Sequence, residues 1–325
     1  MFCDATPHIA CVQAIADAAV GVPARIYTLR GLRLETTAGP KRAVLIATER
    51  VAAACAHRVV AVSPSLGRRA VELGLVPARK VVTIGAGSSN GIVAARFSSP
   101  DPAAVAALRA RLGLAEGAAV VGFVGRLTRD KGVAELVDAF DCLRAARPGL
   151  RLLLVGPAEA GDPLPPSVLA RIEADPAILA PGSLADAAAS YALMTVVAFP
   201  SHREGFPNVP LEAAAAGKPV VAARATGSVD AVVDGTTGTL VPVGDAAALA
   251  AAVGRYLDDP ALATRHGAAG RSRAHEDFAP ARIWDALDAL YGELLGFRRP
   301  GGSSGSVTDA FFERLPDDEL DAWQQ

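Results

Sequence analysis

The chain has 325 residues, enough for about two domains with separate cores. Its 32 Lys/Arg against 34 Asp/Glu leave a formal charge of −2, and half of its residues are hydrophobic, which excludes both a disordered polyelectrolyte and a uniformly basic nucleic-acid binder. Cys3, Cys11, Cys55 and Cys142 lack CxxC spacing and the five histidines lack HxxxH spacing, so neither a disulfide framework nor a metal site is expected.

In chain order, Ile26–Leu29 and Arg58–Val62 read as short strands, with a helix over Lys41–His57 between them. Ser63-Pro64-Ser65 reads as a capped helix start. Val81–Ile84 is another strand. Gly85-Ala86-Gly87 follows it, but no helix and no acidic ribose partner come next, so a dinucleotide loop is rejected. Phe97-Ser98-Ser99-Pro100-Asp101-Pro102 reads as a linker. After the helix Ala103–Leu112, strands are expected near 119–124, 150–155, 195–200, 219–223 and 239–242. Helices are expected near 132–146, 166–174, 185–192, 209–216, 245–257 and 280–295. Such alternation argues for a parallel sheet covered on both faces. The expected division is 1–100, 101–280, a C-terminal helix 281–297 and a Gly/Ser-rich tail 298–325.

The most informative segment runs from His202 to Val221. Glu204 and Glu212 enclose seven residues, where an apolar strand ending at Phe199-Pro200 hands over to an Ala-rich helix that stops at Gly217. Asn208 is read as the helix cap, with Pro210 in the first turn. Ligands bind at the carboxyl ends of parallel strands, and a helix start aims backbone N–H groups at an anion. A carboxylate beside it suits a sugar, since it accepts two hydroxyl hydrogen bonds at once. Upstream, the strand Val120–Val124 ends in Gly125-Arg126, with Lys131-Gly132 four residues later. An anion could be held there bidentately by the Arg and by the mobile charge of the Lys.

These motifs resemble the family 4 retaining glycosyltransferases, enzymes of the GT-B fold with two Rossmann-like domains. The carrying residues are the Glu204/Glu212 pair, Gly125-Arg126 with Lys131-Gly132, and the run Asp230 to Pro242. The resemblance covers about Thr6 to Leu295. It implies an α/β chain of two doubly wound domains, the first incomplete. It implies transfer of a sugar from a nucleotide diphosphate, here a UDP-sugar, with retention, in cell-surface polysaccharide synthesis. Arg126, Lys131 and Glu204 are the implied catalytic residues. Gly125, Arg126, Lys131, Gly205, Phe206, Pro207, Asn208, Val209 and Glu212 are the implied donor site. Within it, Glu212 takes the ribose and Glu204 the transferred sugar. Many members carry His-Gly where this chain has Arg30-Gly31, which makes Arg30 a candidate for an acceptor phosphate. No cofactor and no metal are implied. The implied partners are the nucleotide-sugar donor and a glycan or polyprenyl-diphosphate-linked acceptor, with no nucleic acid.

Residues 1–100 carry +7 and the remainder −9. The basic half suits an anionic partner, and the resemblance implies a cytoplasmic enzyme at the inner membrane face. Fewer than 100 residues precede the linker, where the family uses more, so the chain reads as lacking the first strands of its first domain. Little or no turnover by the chain as given is the corresponding expectation. A second reading, a nucleotide-sugar-binding protein without catalysis, stays open on the same ground.

Overall fold

The computed structural model describes residues 7–184 and 186–296. The segment 298–325, expected to be a tail, lies outside the described residues.

The first domain consists of α1 (Pro7–Ala19), β1 (Ile26–Leu29), α2 (Pro40–Cys55), β2 (Arg58–Ala61), α3 (Pro64–Glu72) and β3 (Val81–Val82). Its three strands are parallel in the order β1-β2-β3. The runs Ile-Tyr-Thr-Leu and Arg-Val-Val-Ala are mostly β-branched or aromatic and mostly buried, as strands covered on both faces must be. The Tyr27 hydroxyl donates to Glu49 of α2 at 2.6 Å, so this buried carboxylate is not left unpaired. Ser63 caps α3 by accepting the Leu66 N–H at 3.2 Å, as its place in the sequence predicts.

A connection through α4 (Ala94–Ser98) and α5 (Pro102–Arg111) leads to the second domain. In order, this holds β4 (Val120–Val124), α6 (Val133–Ala146), β5 (Arg151–Val155), α7 (Pro166–Ala174), β6 (Ile178–Gly182), α8 (Ala188–Leu193), β7 (Val196–Phe199) and α9 (Asn208–Ala215). It continues with β8 (Val220–Ala223), α10 (Ser228–Ala231), β9 (Gly238–Val241), α11 (Ala246–Asp258) and α12 (Pro260–Asp277). The sheet is parallel throughout, in the order β6-β5-β4-β7-β8-β9. Chain order reverses between β4 and β7, which makes their carboxyl ends the switch point at which a ligand binds. One face of this sheet packs α6 and α11 through Leu136, Phe140, Leu249 and Val253, and the other packs α8 and α9 through Tyr191, Leu193, Leu211 and Ala215.

The last helix, α13 (Pro280–Leu295), returns to the first domain. Its Ile283 and Leu290 close on Ile26, Val60 and Ile84, the face of the first sheet that α1 to α3 leave uncovered. Two buried aliphatic side chains contribute roughly 3–6 kcal/mol there.

Most expected elements occur within one or two residues of their expected bounds. α4, β6, α10 and α12 are additions, and Val81–Ile84 contracts to a two-residue strand. The expected linker Phe97–Pro102 narrows to Ser99–Asp101, because Phe97, buried on the second domain's core, and Ser98 end α4 and Pro102 opens α5.

Candidate active site in the cleft between the domains

β4 delivers Arg126 and, after a short turn, Lys131, and β7 delivers the loop 200–207. The two meet because the loop hangs on Asp130: His202 N–H donates to its carbonyl at 2.8 Å, and Arg203 Nη2 reaches its carboxylate at 3.0 Å. Burial opposes ionisation of Asp130. The Thr128 hydroxyl at 2.7 Å and the charges of Arg203, Lys131 and Arg126 outweigh it and hold the carboxyl below its usual range. With this scaffold fixed, Lys131 Nζ donates to Glu204 Oε1 at 2.5 Å. The side chains of the pair are only 16% and 13% exposed, so the charges face each other with little water between. The two motifs that lie some seventy residues apart in sequence are thus joined by one ion pair.

Glu212 sits one turn into α9, facing another way. The hydroxyl of the fully buried Tyr191 on α8 donates to its Oε2 at 2.7 Å. Burial pushes the Glu212 carboxyl up, against the Tyr191 hydrogen bond and the charge of Arg96, which pull it down. The sequence reading missed Tyr191. Its signal was its rarity: a chain with four tyrosines that puts one inside an Ala-rich helix has placed its hydroxyl on a buried partner.

The loop between the glutamates forms the seam with the first domain. Ser63 Oγ, while capping α3, donates to the Gly205 carbonyl at 2.7 Å. Ser65 accepts from Gly227 N–H at 2.8 Å, and its own N–H donates to Asp230 Oδ2 at 2.8 Å. Thr226 Oγ1 reaches Glu35 at 2.9 Å, and Arg203 Nε reaches Thr36 Oγ1 at 2.8 Å. A Cβ on Gly205 would stand 1.8 Å from the Arg30 carbonyl oxygen. Gly205→Ala is therefore expected to force the domains apart, lower the denaturation midpoint, and raise amide exchange at 63–66. Unchanged exchange at 63–66 would show that the seam does not depend on this contact.

The remaining sequence-predicted residues are placed as follows. The Gly125 N–H is taken by the Val155 carbonyl at 2.9 Å, so it serves the sheet. Arg126 is half-exposed and ion-paired with Glu159 of the loop after β5, a partner the motif did not anticipate. A surface pair of this kind is worth only about 0.2–1 kcal/mol and exchanges readily for a stronger anion. Phe206 packs against Phe278 at a tilt, with centroids 5.4 Å apart, and lies against Gly87, so the Gly85-Ala86-Gly87 loop meets an aromatic ring. Asn208 is not the cap. Helix α9 starts at Asn208 itself, Pro207 holds the cap position without a side-chain hydrogen bond, and Asn208 is exposed. Pro207 fixes φ at the helix entry but has no side-chain acceptor, so it leaves the first-turn N–H groups that an Asn cap would satisfy unbonded by any side chain. Val209 is half-buried behind it. Arg30 is exposed and contributes its carbonyl to the seam.

A cavity of about 350 Å³ opens between the domains beside Asp130 and Arg203. Arg33, Thr36 and Thr37 line it from the first domain and Arg129, Asp162 and His202 from the second, while Arg30 does not. His202 Nε2 lies 2.8 Å from Glu135 Oε1, and this hydrogen bond, against burial, raises the imidazole above its usual pKa. A larger cavity, about 440 Å³, lies at the opposite ends of β4, β7 and β8, where no glutamate of the motif reaches. Among the described residues no cluster of three metal-ligating side chains occurs.

Residues 118–259 match the family model described as glycosyl transferases group 1. The capsular polysaccharide biosynthesis glycosyltransferase CapM of Staphylococcus aureus is 34% identical over 290 residues, which is 89% of this chain and 76% of CapM. A glycogen synthase of Mycobacterium tuberculosis is 37% identical over 203 residues, 62% of this chain and 47% of that protein. Among solved structures, Anabaena HepE in complex with UDP superposes with a TM-score of 0.75 at 25% identity, covering 89% of this chain and 77% of HepE. The six-stranded domain, the cleft seam and these similarities agree: the chain belongs to the group 1 glycosyl transferases and has the GT-B fold of two Rossmann-like domains.

Proposed function

We propose that the chain transfers a sugar from a UDP-sugar to a glycan or lipid-linked acceptor with retention, in the synthesis of a cell-surface polysaccharide. The observation that carries the reading is the Lys131–Glu204 pair, mostly enclosed at the switch point of the second sheet beside the seam with the first domain. Lys131 keeps two further N–H donors for a diphosphate, and Glu204 keeps a second oxygen for sugar hydroxyls. Glu212 accepts the ribose hydroxyls, braced by Tyr191. Arg126 exchanges Glu159 for the diphosphate. The two cations stabilise the charge that grows as the sugar–oxygen bond breaks. The acceptor hydroxyl attacks from the face the diphosphate leaves, and its proton passes to a diphosphate oxygen, so no separate base is used. HepE, solved with UDP and with UDP-glucose, supports the choice of uridine. CapM supports the polysaccharide.

The same reading divides the chain into 1–100, 101–280 and a returning helix 281–297, and locates it in the cytoplasm against the inner face of the membrane. The basic first domain supports the latter. No described helix is long and apolar enough to cross a membrane. Calorimetric titration with UDP tests the donor half without requiring turnover. Saturable binding at micromolar to millimolar UDP is expected. A folded protein that ignores millimolar UDP would falsify the assignment.

A further inference from the structure

The cleft cavity contains more positive charge than a neutral sugar requires. Three guanidinium groups line it, from Arg33, Arg129 and Arg203, with the His202 imidazole beside them. Two carboxylates, Asp130 and Asp162, oppose them. Asp130 is paired with Arg203, and His202 is held by Glu135. Asp162 Oδ2 accepts the Asp130 N–H at 2.9 Å and keeps its negative charge. Two guanidinium groups, Arg33 and Arg129, thus stand against one carboxylate, an excess of one positive charge. Arg129 donates from Nε to the Pro163 carbonyl at 2.8 Å and has no carboxylate partner among the described residues. The Arg33 side chain, also among the described residues, makes no ion pair or hydrogen bond. These two come from different domains and line the same cavity of about 350 Å³, a volume that accommodates one hexose with a charged substituent.

The cavity's position separates it from the donor. Glu212 and its partner Tyr191 lie toward α8, whereas the cavity adjoins Asp130 and Arg203, the chain neighbours of Lys131 and Glu204. The cavity therefore adjoins the Lys131–Glu204 side of the site and not the Glu212 side. One wall is Arg33, Thr36 and Thr37 of the first domain, starting two residues beyond the Gly31 that meets Gly205 at the seam. Arginine, with a planar fork of donors, matches a carboxylate or phosphate bidentately.

Resting on the reading above, we propose that the acceptor carries an oxyanion, either the carboxylate of an acidic sugar or a phosphate, and that Arg33 and Arg129 grip it from opposite domains. Because the ligand spans the seam, its binding also holds the domains in the arrangement that the Arg203–Thr36 and Thr226–Glu35 bonds define.

The test uses the full chain and three probes: methyl β-glucuronide, methyl β-glucoside 6-phosphate and neutral methyl β-glucoside. Each is titrated with and without UDP and followed by saturation-transfer NMR. At least one charged glycoside should bind about tenfold or more tighter than the neutral one, and which one does identifies the source of the oxyanion. The Arg33→Ala/Arg129→Ala double variant should bind the charged probes no better than the neutral one, with UDP affinity within about twofold of wild type. Arg33→Lys/Arg129→Lys should recover part of the preference. Equal binding of charged and neutral probes, or no charged binding at about 20 mM, overturns the proposal. So does loss of UDP affinity in the double alanine variant, because the cavity would then serve the donor diphosphate. Failure of wild type to bind UDP sinks the donor assignment alone, since the glycoside titrations without UDP are read separately.

Discussion

Lys131→Ala should lower sugar transfer, or donor hydrolysis when no acceptor is added, by about 10²–10³-fold, the usual effect of removing one group that stabilises developing charge. It should also destabilise the fold, because Glu204 is left with its carboxylate mostly enclosed and its ammonium partner gone. Breaking a fully buried pair costs roughly 3–5 kcal/mol, and the residual exposure of this one reduces the expected loss to about 2 kcal/mol. The two effects separate in a double variant. Lys131→Ala/Glu204→Gln removes the stranded charge and should regain most of the stability while remaining inactive. Thermal melts and a coupled UDP-release assay measure both. A double variant no more stable than the single one would mean that Glu204 finds another partner and the pair is not what holds the loop.

The second large effect concerns Glu212, where binding and stability should move in opposite directions. Burial raises its carboxyl pKa above the ordinary value in the folded chain. The folded state therefore holds the proton more tightly than the unfolded one, and stability falls as pH rises through the window between the unfolded and the raised folded value. Below that window the cost of the buried charge is absent, and above it the cost is complete. Glu212→Gln should accordingly raise the melting temperature at pH 7–8. On the proposed assignment the ionised carboxylate is also what accepts the ribose hydroxyls, so the same variant should weaken UDP binding by about ten- to a hundredfold, as for loss of a charged hydrogen-bond partner. In wild type, UDP affinity should decline on acidification from a higher pH than an ordinary glutamate would give. Tyr191→Phe removes the hydrogen bond that lowers this pKa and should shift that decline upward. Equal UDP affinity in wild type and Glu212→Gln would remove Glu212 from the nucleotide site.

The alternation of strands and helices was legible because the strands are buried on both faces and read as runs of Val, Leu and Ala between turn residues. β6 was missed because it pairs only with β5 at the sheet edge and carries Pro181, which only an edge tolerates. α12 was missed for a different reason. Its buried positions, Leu262, His266, Gly267, Gly270 and Ala274, have helical spacing, but only the first is a large apolar side chain. The small residues let α12 approach α9 closely: a Cβ on Gly267 would lie 2.1 Å from the Gly217 carbonyl. Periodicity written in glycine is invisible to a hydrophobic pattern. At the site, spacing located the loop and the two glutamates. It could not show that Arg126 turns to Glu159, that Pro207 and not Asn208 occupies the cap, or that the charged cavity belongs to Arg33 and not to Arg30. Each of these depends on which side chain a neighbouring loop brings within reach, and such loops are distant in sequence.

The return of α13 to the first sheet bears on how the molecule is made. Ile26 and Val60 leave the ribosome more than two hundred residues before Ile283 and Leu290, which cover them. At about 5–20 residues per second, the apolar face of the first sheet stays open for ten seconds or more, while the six-stranded domain can already close on itself. The order of completion is thus the reverse of the order of synthesis: the second domain first, the first domain last. A nascent chain arrested before α13 presents a bare parallel sheet to its neighbours, which makes translation speed and chaperone capture, more than final stability, the determinants of its yield.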